Sequence, residues 1–121
     1  MRSRRAQPEA AVQRAIFAHI RLRLAPGAFA FHCPNGGARR PIEVAILKGL
    51  GVTPGIPDII AVKGGRMFAL ELKAGTGRLS DAQRAAHDAL RAAGAEVATA
   101  DSLDAALRQL EEWQLLRGAV S

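Results

Sequence analysis

The chain carries one cysteine, Cys33, in 121 residues. A single thiol excludes a disulfide framework and a cysteine zinc cluster, and a cytoplasmic setting is expected. Tyrosine is absent and tryptophan occurs once, at Trp113, which speaks against an aromatic platform for stacking single-stranded bases. Unbroken apolar stretches run to only a few residues, far below the ~20 that a membrane span needs. The opening Met1-Arg2-Ser3-Arg4-Arg5 is basic, but no apolar segment follows it, so it does not read as a secretory signal. No internal repeat, low-complexity tract or dividing linker interrupts the chain, and its length suits one domain. An apolar fraction of 49% excludes global disorder. A domain of this size buries about two thirds of its unfolded surface and needs no staple to fold.

What is abundant is arginine. Fourteen of the seventeen basic residues are Arg, against eleven acids, for a net charge of +6. Residues 1–48 hold nine basic and two acidic side chains, so the excess sits wholly in that segment. Arginine forks suit phosphate, which makes a polyanion the natural partner. A GC-rich genome, which favours both Ala and Arg codons, would produce the same bias.

Punctuation divides the chain into eight elements. Residues 1–7 read as a loose basic arm ahead of a domain over 8–118. Pro8-Glu9 opens a helix, because proline fits a first turn and an acid favours the positive end of the helix dipole. Val12, Ile16, Ile20 and Leu24 form its inward stripe, and Pro26-Gly27 ends it. Ala28 to His32 is a short strand, followed by the loop Cys33-Pro34-Asn35-Gly36-Gly37. Pro41 to Leu47 reads as a second helix or as a strand, since periodicity does not separate the two. Asp58 to Val62 is a strand, Gly64-Gly65 a favoured hairpin turn, and Arg66 to Lys73 the returning strand. Ser80 caps a helix to about Ala93, with Gly94 as its stop. Glu96 to Ala100 is a strand, and Asp101 caps a last helix carrying Leu103, Leu107 and Leu110. The order α-β-α-β-β-α-β-α implies an α/β fold, a mixed sheet flanked by helices.

The hairpin sets the register. With Gly64 and Gly65 as loop residues, paired positions sum to 129, which puts Asp58 opposite Glu71. Directly opposed residues share a face with Cβ atoms about 5 Å apart. Lys73, two residues beyond Glu71, joins them. Phe68, Leu70 and Leu72 take the other face, as core. Opposed carboxylates repel unless a cation lies between them, and Mg²⁺ is satisfied by one or two carboxylates plus water. A metal beside a lysine is a layout for hydrolysing phosphodiesters. A solvated strand end with a Glu-Lys pair is the plainer alternative.

Pro57-Asp58, twelve residues, then Glu71-Leu72-Lys73 resembles the PD-(D/E)XK nuclease signature. Gly55-Ile56-Pro57-Asp58-Ile59-Ile60, Leu70-Glu71-Leu72-Lys73 and Gly77-Arg78-Leu79-Ser80-Asp81-Ala82-Gln83, with the closing strand and helix, resemble the VRR-NUC (virus-type replication-repair nuclease) domain. The resemblance runs from about Glu9 to Trp113 and is to the small stand-alone form of phages and bacteria. It implies a restriction-endonuclease-like fold and a structure-selective DNA endonuclease dependent on Mg²⁺ or Mn²⁺, acting as a homodimer on four-way junctions. By that resemblance Asp58, Glu71 and the backbone carbonyl of Leu72 bind metal, Lys73 is the catalytic lysine, Gln83 the motif glutamine and Glu9 the first-helix acid. His32 and Asn35 match a His and Asn that the family often places before the Gly-rich turn. With Arg2, Arg4, Arg5, Arg39 and Arg40 they are the expected DNA contacts.

Simpler roles exist for several of these. Ser80 and Gln83 make a capping box without any catalysis. Glu9 sits where acids are ordinary, although it lies on the inward stripe. His32 at a strand end is commonly structural. His19 and His87 lack partner spacing and are expected at the surface, Cys33 is expected to be inert, and Trp113 is expected in the core. The apolar Ile42, Val44, Ala45, Ile46, Leu47 and Leu50 segment is either all core or partly a dimer surface. A non-catalytic DNA-binding module on the same fold, or a nuclease for other DNA or RNA, remains the alternative function.

Overall fold

In a computed structural model, which describes residues 6–34, 40–75 and 77–118 and side chains from Glu9 onward, the first helix, α1, spans Ala6–Arg23. It opens two residues before Pro8-Glu9. Proline is tolerated there because the first helical N–H groups have no intrahelical partner to lose. The stripe behaves as read: Ile16 and Ile20 are buried, and Val12 and Leu24 lean on the same core.

The remaining elements are β1 (Ala28–His32), α2 (Pro41–Gly49), β2 (Ile59–Lys63), β3 (Arg66–Leu72), α3 (Asp81–Ala92), β4 (Glu96–Ala100) and α4 (Leu103–Glu112). The order is the expected one. The ambiguous apolar segment is helix: Pro41 occupies the first turn, and the Arg40 N–H is held by Glu43 Oε1 at 3.0 Å. The cap of α4 is Ser102, not Asp101, because the Ser102 hydroxyl accepts the Ala105 N–H at 3.1 Å.

The four strands lie in the order β1-β2-β3-β4. The first two pairings are antiparallel, and β3 pairs with β4 in parallel. The β2–β3 hairpin has the inferred register, Lys63 with Arg66 through Ile59 with Leu70. Its two loop glycines have φ of 60° and 76°, which a two-residue turn matched to strand twist requires.

Alternation then assigns the faces. Ile59, Ala61, Phe68, Leu70 and Leu72 meet Ile16 and Ile20 of α1 and Ala106 and Leu110 of α4 in one core. Trp113 packs there on Phe68, with ring centroids 5.3 Å apart. On the opposite face α3 lies over the β3 end, where Ala69, Glu71, Ala86 and His87 are all buried. The β1–β2 half of that face leaves Phe29, Phe31 and Val62 exposed. No residue of α2 is buried. Ile42, Val44, Ile46 and Leu50 all face solvent, so the segment is not core. Among the described residues no helix is long and apolar enough to cross a membrane.

Candidate metal-and-phosphate site

The residue before β2 and the last residues of β3 build the site. Asp58 continues the hairpin register by one position, and its Oδ2 accepts the Leu72 N–H at 2.8 Å. That bond fixes one carboxylate at the point where β3 leaves the sheet. The backbone of Asp58 is held as well: its carbonyl accepts the Cys33 N–H and a bond from His32 Nδ1, both at 2.8 Å. A carbonyl only accepts, so Nδ1 of this exposed histidine carries the proton.

Glu71 is 2% exposed. Its Oε2 accepts from Gln83 Nε2 at 3.4 Å, and its Oε1 meets His87 Nε2 at 3.1 Å. Burial, then the hydrogen bond and charge of Asp58, push its carboxyl up to about 9; Lys73 pulls the other way and Glu9 adds to the rise. Two acids therefore compete for one region, with a lysine and a third acid within electrostatic reach.

Gln83 caps α3 and also reaches Glu71. Its Oε1 accepts the Ser80 N–H at 2.8 Å and the Ser80 hydroxyl accepts its N–H at 3.1 Å, which is the capping box. The amide nitrogen left over is the one that reaches Glu71. Glu9 comes from the far end of the sequence: its Oε2 accepts the Ala74 N–H at 3.1 Å, just past Lys73. The inward stripe of α1 thus ties to the exit of β3. The Lys73 N–H donates to Ala100 O at 2.9 Å, which anchors the lysine backbone to β4.

Gly55 sets the loop that enters β2. Its φ is +83°, and a Cβ there would meet the Ala82 backbone and come within 2.7 Å of Gln83 N. Only glycine lets this loop approach the first turn of α3 so closely.

The structure thus gathers Glu9, Asp58, Glu71, Lys73 and Gln83, and seats His32 on the backbone of Asp58. Arg40 is an exposed side chain ahead of α2 that pairs with Glu43 at 3.5 Å. Arg2, Arg4, Arg5, Asn35 and Arg39 lie outside the described residues.

His87 corrects the sequence expectation, since it is 1% exposed and not at the surface. It stands one helical turn from Gln83, on the face of α3 that looks at Glu71. The i,i+4 spacing from a residue already suspected was the available signal. Burial lowers its pKa, and Arg91 lowers it further. His19 is half-buried and accepts a 3.3 Å bond from Arg23 Nε.

Among the described residues no group of three or more His, Cys, Asp or Glu side chains gathers as a metal cage. The donor set is two carboxylates, all oxygen. Such a set suits a hard cation that keeps most of its water.

No protein-family model matches the chain, and no curated protein sequence does. Among solved structures it is similar to a VRR_NUC domain protein, at 22% identity over 89% of each chain, with a TM-score of 0.73. The strand order, the helix order and this superposition agree: the chain has the fold of a VRR-NUC domain.

Proposed function

We propose that the protein is a divalent-metal-dependent DNA endonuclease that hydrolyses phosphodiesters. The observation that carries this is the facing pair Asp58 and Glu71, one acid buried and pushed up to about 9, beside Lys73. Asp58, Glu71 and the Leu72 carbonyl would hold Mg²⁺ or Mn²⁺. Such an ion, when bound, activates water and offsets charge on the phosphate.

The protein's own groups do the rest. The Leu72 N–H and the clamp on the Asp58 carbonyl fix the orientation of the first acid. Gln83 holds Glu71 from α3. Lys73 places an ammonium where the negative charge of an attacked phosphate develops, which is where preorganised positive charge is most effective. Glu9 fixes the backbone just beyond the lysine.

DNA is the expected polyanion, met through its phosphates by Arg2, Arg4, Arg5, Arg39 and Arg40, with His32 and Asn35 beside the site. One site cuts one strand, so a two-fold dimer would present two sites to the opposed strands of a branched substrate such as a four-way junction. The dimer draws support from α2: a helix with three exposed large apolar side chains, a fourth (Leu50) at its C-cap and none buried is a surface for a second copy. Work on DNA would place the enzyme in the cytoplasm of a bacterium or of a phage-infected host.

The test is cleavage by purified protein, with Mg²⁺ or Mn²⁺ and with EDTA, on duplex, flap, splayed and four-way junction DNA. Metal-dependent cuts, preferentially on the junction, are expected. Asp58→Asn and Lys73→Ala should each lose at least about a hundredfold in rate, the scale for removing a preorganised charge. They should remain folded. Wild-type rates in either variant, or cuts that persist in EDTA, would overturn the proposal.

A further inference from the structure

We infer that His87 is a positioning residue for Glu71: from inside the protein, it sets the orientation of the carboxylate that the proposed nuclease reading assigns to the metal. The inference rests on that reading.

His87 is sealed from solvent and from DNA, so it touches neither a phosphate nor a bulk ion. Its only hydrogen bond among the described residues is from Nε2 to Glu71 Oε1, at 3.1 Å. Nδ1 is buried with no partner among the described residues. A buried N–H without an acceptor is rarer than a bare lone pair. The proton therefore sits on Nε2, and the ring donates to Glu71.

The geometry goes beyond packing. His87 and Gln83 are four residues apart on α3 and take different oxygens of the same carboxylate, His87 on Oε1 and Gln83 on Oε2. Two donors on one rigid helix remove the rotation that a single bond would leave. The Ser80 cap in turn orients Gln83. A ligand held this way meets a cation with little reorganisation, and partners of ligands are worth about 10- to 100-fold in metal affinity or activity. An ordinary core position would be better served by an apolar residue, since a half-satisfied histidine is costly to bury.

The experiment measures Mn²⁺ binding by calorimetry, without DNA, for wild type, His87→Leu, His87→Gln and Glu71→Gln, with circular dichroism and thermal melts on each. His87→Leu keeps the volume and removes the donor. It should melt at or above the wild-type temperature, bind Mn²⁺ about tenfold more weakly, and cleave correspondingly less at fixed metal. His87→Gln places an amide N–H near the position of Nε2 and should recover affinity to within about threefold of wild type, on the same scale. A purely structural role would instead lower the melting temperature and leave affinity alone. Equal Mn²⁺ affinity in wild type and folded His87→Leu overturns the inference and leaves the nuclease reading standing. So does a folded His87→Gln that recovers nothing. Failure of wild type to bind Mn²⁺, or unchanged binding in Glu71→Gln, overturns the reading and the inference together. If His87→Leu does not fold, His87→Gln decides against Glu71→Gln: affinity near wild type supports the role, and affinity as poor as Glu71→Gln overturns it.

Discussion

Metal-free protein should lose stability as pH rises from 6.5 to 8.5, and Glu71→Gln should abolish that loss. Glu71 has its pKa raised from 4.5 to about 9 by burial and by Asp58. In the unfolded chain the group is ionised above its ordinary value, while the folded state keeps it protonated until about 9. The folded state therefore binds one more proton across that window, and stability declines with rising pH. One proton corresponds to about 1.4 kcal/mol per pH unit, so two units remove at most about 2.7 kcal/mol. His87 acts in the opposite sense and elsewhere. Its pKa is lowered from 6.5, so its contribution is present above 6.5 and is lost only as pH falls below it. The chosen window thus isolates Glu71. For a domain of this size about 1 kcal/mol moves the melting temperature by roughly 3–5 °C. In EDTA the wild type should melt several degrees lower at pH 8.5 than at 6.5. Glu71→Gln should be nearly flat and more stable than wild type at pH 8.5, because its neutral amide can donate to Asp58 without the proton that the acid must take up on folding. Saturating Mn²⁺ should flatten the wild-type curve and leave the variant unmoved, since a ligand stabilises only the state that binds it. Parallel curves for wild type and variant in EDTA would refute the electrostatic account of the site.

Three further outcomes are expected. Gly55→Ala should cost at least about 2 kcal/mol in chemical denaturation, because φ is +83° and the added Cβ meets the backbone of Ala82 and Gln83; a neutral result would mean that the loop does not approach α3. Light scattering should give about twice 12.8 kDa for the wild type, and Ile42→Asp with Ile46→Asp should restore the monomer mass; a wild-type monomer with and without junction DNA rejects the dimer but spares the single-chain site. Binding of DNA by Asp58→Asn should fall linearly with log salt, and Arg39→Ala with Arg40→Ala should reduce that slope by about two; an unchanged slope removes both from the phosphate contacts.

The sequence by itself determined the hairpin and everything that local rules propagate from it. Gly64-Gly65 allows positive φ at two consecutive positions, so the turn, the register and the opposition of Asp58 to Glu71 follow from period-two alternation. The same holds for the α1 stripe, the Ser80–Gln83 box and the placement of Phe68, Leu70 and Leu72 in the core. Tertiary structure decided what no local rule carries. Whether Pro41–Gly49 is helix or strand, and whether its apolar side chains are covered, depends on what packs against it; the chain itself buries none of them. Glu9 reaches Ala74 across 65 positions of sequence, a contact that only the docking of α1 on the sheet creates. His87 looked like a lone surface histidine because spacing does not say which way a helix faces. Once α3 lies over β3 its Gln83 face turns toward Glu71, and burial there moves both groups away from their ordinary proton affinities. Desolvation belongs to the assembled interior, and it appears only when distant segments exclude water together.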